Sequence, residues 1–390
     1  MASWNTTSRP MTTPPVYLDH AASTPVDPKV LEAMLPWFSD FPANPSGQHE
    51  AGREASNAVE QAREQVATML GCQVDTLTFT GSATESCNLA IKGLLRPRLR
   101  RGEHVHIVSA ATEHLAVLDP LRRLEREGAE VDLAPPTPGG WIDPAEIERR
   151  LQDDTALVSI MWVNNELGTI NDIAAIGEMC RDRGILFYCD GSQAAGKIQL
   201  DLESIPIDAF CACAHKMNGP KGAAALVLQG RAAGRPIEPL IEGGGQEHGL
   251  RSGTLDVPAI VGFGAAASRV RECLDDDTKR ITQFRDTLQA GIIAAHPNAV
   301  VNGLPSHRVP HILNMTIPTS GPASLAEQLQ GVACSAGAAC PSTKSDTSHV
   351  LAAIGLGQDV ANATVRLSLG RRTTSSDIST AIEAIERVGN

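Results

Sequence analysis

Between residues 76 and 228 the apolar positions follow two alternating rhythms. Seven short stretches are almost continuously apolar and rich in strand-forming side chains: 76–80, 105–109, 131–134, 156–162, 185–189, 209–214 and 223–228. Around and between most of them the apolar positions recur at helical spacing, as in 50–70, 84–94, 116–127 and 173–183. Apolar strands that alternate with helices predict an α/β fold with a seven-stranded, mostly parallel sheet covered on both faces. The carboxyl ends of such strands are where a cofactor binds. After residue 262 the rhythm changes. Longer helices are predicted over 265–275 and 279–295, then irregular strands near 309–317 and 363–369, and a closing amphipathic helix over 376–388. The organisation implied is a flexible leader at 1–15, a large domain at 16–262 and a smaller α+β domain at 263–390, with 16–27 packing on the small domain. Residues 337–347 are small and polar, a composition that favours a mobile loop.

Charge narrows the classes of partner. The 390 residues carry a formal net charge of -12, which argues against direct nucleic-acid binding or an anionic membrane surface, since both favour an exposed basic face. No apolar run approaches a membrane span, and the first fifteen residues lack the apolar core of a secretory signal. Nine scattered cysteines do not form a secreted disulfide framework, so reduced thiols and a cytoplasmic location are expected.

The chemistry gathers around Lys216. It lies in Ala214-His215-Lys216-Met217-Asn218-Gly219-Pro220, directly after an apolar strand and before a Gly-Pro turn, where no solvated helical face explains it. Asp190-Gly191-Ser192-Gln193 closes another predicted strand. A lysine and a carboxylate at neighbouring strand ends suit pyridoxal 5'-phosphate (PLP), whose aldehyde takes an amine and whose ring nitrogen takes an acid partner.

Nine segments, in order along almost the whole chain, carry a resemblance to the cysteine desulfurases of the class V aminotransferase group. They are Tyr17 to Pro25, Asn44-Pro45-Ser46, Phe79 to Ser86, Thr112-Glu113-His114, Val163 to Gly168, the lysine segment, Arg251-Ser252-Gly253-Thr254, Ser335 to Cys340, and Arg366 to Arg371. The resemblance implies the aspartate aminotransferase-like fold of PLP-dependent transferases (fold type I) and a homodimer. It also implies that Lys216 holds the cofactor, Asp190 pairs with the ring nitrogen, and His114 lies over the ring and moves protons. Ala83 and Thr84 open a helix whose free N–H groups suit the cofactor phosphate, joined by Cys213, His215 and Thr254, the last reaching the partner subunit's site. Asn165 and Gln193 are expected as polar contacts to substrate or ring oxygen, and Arg366 as the grip on the substrate carboxylate.

Cys340 ends Ser335-Ala336-Gly337-Ala338-Ala339-Cys340 in a segment that resembles the long-loop type found in iron–sulfur cluster assembly. By that likeness, L-cysteine gives L-alanine while Cys340 takes the sulfur as a persulfide for an acceptor protein. The acceptor is left open among iron–sulfur assembly, tRNA thiolation and DNA phosphorothioation. Cys213 departs from the family's usual serine, and a thiol is a weak donor, so weaker cofactor retention is expected. Competing readings are a selenocysteine lyase or another PLP-dependent aminotransferase-like enzyme. A remoter one is a metal-binding or sulfur-carrier protein on Cys211-x-Cys213-x-His215, where three candidates fall short of the four ligands of structural zinc.

Overall fold

A computed structural model describes residues 15–318, 324–336 and 348–388. The leader before Pro15, the expected loop at 337–347 and Cys340 lie outside the described residues.

A two-residue strand, β1 (Val16–Tyr17), is followed by seven strands of one sheet: β2 (Leu77–Thr80), β3 (His106–Ala110), β4 (Glu130–Ala134), β5 (Thr155–Ser159), β6 (Leu186–Asp190), β7 (Ala209–Cys213) and β8 (Ala224–Leu228). Their spatial order is β2-β8-β7-β6-β5-β3-β4. Only β8 runs against the others, pairing antiparallel with β2 and β7. Six strands therefore end on the same edge. Six of the seven, all but β4, are buried along their whole length, as strands covered on both faces must be. This is the mostly parallel α/β sheet that the apolar rhythm predicts.

The smaller sheet is built from β9 (Val300–Val301), β10 (Ile312–Thr316), β12 (Ser335–Ala336) and β13 (Thr364–Ser368), in the order β12-β13-β10-β9. β11 (Val332–Ala333) pairs instead with β1 in parallel, which ties the amino-terminal segment to this part of the molecule.

The two helices expected at 265–275 and 279–295 are one. Val257–Ala295 runs unbroken for 39 residues, about 58 Å at the helical rise, and passes through the boundary expected at 262/263. The run Asp275-Asp276-Asp277-Thr278-Lys279 reads as an interruption, but its residues are exposed or half-buried and no proline interrupts the helix beyond its first turn. Its first half packs into the core of the large sheet and its second half into the core that holds β10 and β13.

Candidate active site

The common edge of the large sheet carries a cavity of about 380 Å³. β6 delivers Asp190 as its last residue, and β7 delivers Cys213, after which a short 3-10 turn (Ala214–Lys216) presents His215 and Lys216. β3 leads to His114, the N-cap of helix Leu115–Arg126, and β2 leads to Ser82, the N-cap of helix Ala83–Arg100. Arg366 comes from β13. Ala83, Thr84, His114, Asn165, Asp190, Gln193, Cys213, His215, Lys216 and Arg366 all line this one cavity. Thr254 does not; it is exposed and outside the cavity of its own chain.

Lys216 reaches into the cavity with its amine donating to the carbonyls of Ala21 (2.5 Å) and Ala22 (2.9 Å). Burial removes the water that would solvate its charge and holds its pKa below the ordinary lysine range. The turn that carries it is clamped by the amino-terminal segment. Thr24 donates both its backbone N–H and its hydroxyl to the His215 carbonyl at 2.8 Å, and its Oγ1 accepts the Asn218 N–H at 2.7 Å. Asn218 adopts a positive φ of 64°, a conformation asparagine tolerates better than most residues.

The remaining groups are set by local bonds. His114 Nδ1 accepts the Ala116 N–H at 3.0 Å, which leaves Nε2 to carry the proton of the neutral ring, and burial pushes its pKa down. Burial likewise pushes His215 down to about 4 and the Cys213 thiol up to about 12, so both are neutral near pH 7. Asp190 Oδ1 accepts the Ser192 N–H at 2.9 Å. Ser82 Oγ accepts the Glu85 N–H at 3.1 Å, and the Ala83 and Thr84 N–H groups stand at the helix start without an intrahelical acceptor.

Three polar atoms at the cavity are buried without a protein partner: Asn165 Oδ1, Gln193 Oε1 and Arg366 Nε. Buried polar atoms are rarely left unpaired, so together they ask for a polar ligand. The Arg366 guanidinium is otherwise held by the Asn165 carbonyl (2.9 Å), Asp19 (2.9 Å) and Ser335 (2.6 Å).

Asp19, Ser335 and the Ala21 and Ala22 carbonyls are site residues that no single-residue reading picked out. Asp19, Ala21 and Ala22 sit inside the Tyr17 to Pro25 segment, whose part in the resemblance was the available signal. The cluster of candidate metal ligands formed by the described residues is Cys87, Asp190 and Cys211, rather than Cys211, Cys213 and His215.

The profile of the family described as aminotransferase class-V matches residues 16–380. The cysteine desulfurase IscS of Anaeromyxobacter dehalogenans (strain 2CP-C) is 42% identical over 369 residues, covering 94% of this chain and 91% of that protein. Among solved structures, a NifS-like protein superposes with a TM-score of 0.88 at 34% identity, covering 95% of this chain and 98% of that one. SspA in complex with cysteine superposes with a TM-score of 0.81 at 36% identity, over 90% of this chain and 98% of that one.

Proposed function

The chain belongs to the cysteine desulfurases of the aminotransferase class-V family, and from that premise we propose that it is a PLP-dependent enzyme that converts L-cysteine to L-alanine and carries the sulfur away on Cys340. The observation that carries this reading is the Lys216 amine, depressed by burial and sharing one cavity with Asp190, His114, Arg366 and a helix start.

The residues present fit PLP. Its phosphate suits the Ala83 and Thr84 N–H groups, where the helix dipole favours an anion, with His215 beside them. Asp190 suits the ring nitrogen. When bound, the cofactor supplies an electron sink that makes the α proton of an attached amino acid removable and weakens the bond from Cβ to a leaving group.

This chain's own residues do the rest. With PLP bound, Lys216 would hold the cofactor's aldehyde carbon, and as a free amine its pKa, lowered by burial, would make it a proton-transfer base. The Ala21 and Ala22 carbonyls hold that amine in place in the meantime. His114, neutral and fixed by Ala116, is a second proton-transfer group. Arg366 pairs with the substrate carboxylate, and its unpaired Nε has a donor to spare. Asn165 and Gln193 supply amide contacts without adding charge.

Cys340, as thiolate, attacks the substrate sulfur. The new S–S bond replaces the Cβ–Sγ bond, and protonation of the remaining carbon skeleton gives alanine. L-cysteine plus the Cys340 thiol thus yield L-alanine plus a Cys340 persulfide, with atoms in balance. A cysteine-bound relative of the same fold supports this substrate. The sulfur then passes to a thiol on an acceptor protein. Exposure of Thr254 away from its own cavity supports a homodimer in which each Thr254 serves the other site. No helix of the described residues is long and apolar enough to cross a membrane, and the acidic balance supports a cytoplasmic enzyme without direct nucleic-acid contact.

Incubating the PLP-loaded protein with L-cysteine and a thiol reductant tests this reading. Alanine and sulfide should form in equal amounts with the unaltered chain and not with Lys216→Ala. Pyruvate and ammonia in place of alanine would refute it.

A further inference from the structure

Next to Asp190 lies a group of buried side chains for which the proposed reaction has no use. Tyr188 from β6, Cys211 from β7 and Cys87 from helix Ala83–Arg100 are all fully buried. The Tyr188 hydroxyl lies 2.9 Å from Cys87 Sγ and 3.2 Å from Cys211 Sγ and donates toward both sulfurs. The sulfurs are 3.9 Å apart. Cys211 in turn donates to Asp190 Oδ1 at 3.4 Å, and Ser192 Oγ lies 3.7 Å from the same sulfur.

The donors run in one direction. Burial pushes the Tyr188 pKa far above the ordinary phenol range, so its hydroxyl keeps the proton it donates. The single phenol proton is shared between the two sulfurs, nearer Cys87, and the Cys211 thiol points its own proton at the carboxylate. Both the Cys211 thiol and the Ser192 N–H end on Oδ1 of Asp190. Two donors on one oxygen fix the carboxylate's rotation and leave Oδ2 for the cavity. Helix Ala83–Arg100, whose start is the anion site, meets the same cluster through Cys87. One fully buried cluster therefore ties the carboxylate to the helix whose start suits the phosphate.

We infer that Cys211 is a positioning residue for Asp190, its thiol backed by the Tyr188 hydroxyl and aimed at Oδ1 so that Oδ2 is presented to the ring nitrogen. This rests on the reading of the cavity as a PLP site. A thiol suits the task. It is a weak donor, so it orients the carboxylate without competing strongly with the cofactor for its oxygens. Without that donor the carboxylate would turn more freely and pair less well with the ring nitrogen of bound PLP. The ring would then withdraw electrons less, and the cofactor's link to Lys216 would keep its proton to a higher pH.

The experiment is a pH titration of the yellow absorbance of the PLP-loaded protein, with the PLP dissociation constant measured alongside. Cys211→Ala should move the midpoint upward by about half a unit, a roughly threefold change in proton affinity, and weaken PLP binding several-fold. Cys211→Ser, which keeps a donor, should titrate within a fraction of that of the unaltered protein. Tyr188→Phe should shift in the same direction by less. Cys180→Ala serves as the control, because Cys180 is an equally buried thiol on helix Ile173–Asp182 in a different part of the core. It should lower the melting temperature and leave the midpoint unmoved.

A PLP-loaded Cys211→Ala with an unchanged midpoint would overturn the inference alone, as would a Cys180→Ala shift of equal size. If Cys211→Ala does not fold, Tyr188→Phe decides in its place, and an unmoved midpoint there overturns the inference. An unaltered protein that takes up no PLP would overturn the cofactor reading itself.

Discussion

Gly191→Ala adds one methyl group directly after Asp190, and the structure sets the size of its effect. A Cβ at Gly191 would lie 1.8 Å from Cζ and 2.0 Å from Cε2 of Phe210. Carbon atoms in contact sit about 3.5–4.0 Å apart, so the ring would have to retreat by close to 2 Å. It has nowhere to go. Phe210 is fully buried and set edge-on to Trp162, with ring centroids 6.3 Å apart. Overpacking a core costs about 1–3 kcal/mol, and overlap with two ring atoms at once argues for the upper end, about 3 kcal/mol. Unfolding a 390-residue chain carries an entropy of about 0.8 kcal/mol/K, so the melting temperature should fall by about 3–4 °C.

The same methyl group displaces the turn whose Ser192 N–H holds Asp190 Oδ1 at 2.9 Å, so PLP should also dissociate several-fold more readily. Thermal melts and cofactor titrations on Gly191→Ala, Phe210→Leu and the double variant form the assay. Removing the ring relieves the clash, so the two changes should be non-additive by about 1 kcal/mol or more, with the double variant regaining cofactor affinity. A Gly191→Ala protein that melts and binds PLP like the unaltered chain, or strictly additive effects, would refute the steric argument.

Cys213→Ser should tighten PLP binding about threefold to tenfold, since a hydroxyl donates to phosphate where a thiol held near pKa 12 does so weakly; unchanged affinity in a dissociation assay would count against a phosphate contact there. Arg366→Lys should raise the KM for L-cysteine about tenfold or more with a smaller effect on PLP affinity, because an ammonium cannot reproduce the planar double donation to a carboxylate. Burial pushes His20 and His215 each down to about 4, against about 6.5 in an unfolded chain. Between those values the unfolded chain takes up protons that the folded one refuses, so stability should fall as pH drops from about 6.5 toward 4, and His20→Asn should flatten that slope in melts across the window. A melting temperature that holds constant or rises on acidification would contradict it.

The large sheet was legible because all its strands but β4 are buried on both faces, and apolar runs mark all seven with end errors of a few residues. The long helix Val257–Ala295 was not, because a stretch of aspartates looks like a break when its solvent exposure is unknown. Short pieces such as β1 and β11 were hidden for a different reason: two residues carry no period, and only pairing across more than 300 positions defines them. At the site, residues with distinctive chemistry at strand ends, such as Lys216 and Asp190, stood out on their own. Asp19, the Ala21 and Ala22 carbonyls and the Cys87–Tyr188–Cys211 cluster could not. Their roles come from contacts between distant segments and, for the alanines, from backbone atoms that carry no residue-type signal.

The central claim is that sulfur leaves L-cysteine by transfer to Cys340. The most direct measurement is alanine release from L-cysteine with a thiol reductant, comparing the unaltered protein with Cys340→Ala. The account predicts that the variant keeps its yellow PLP absorbance and loses alanine formation. Alanine released by Cys340→Ala at the rate of the unaltered protein would contradict it and assign the sulfur to another acceptor.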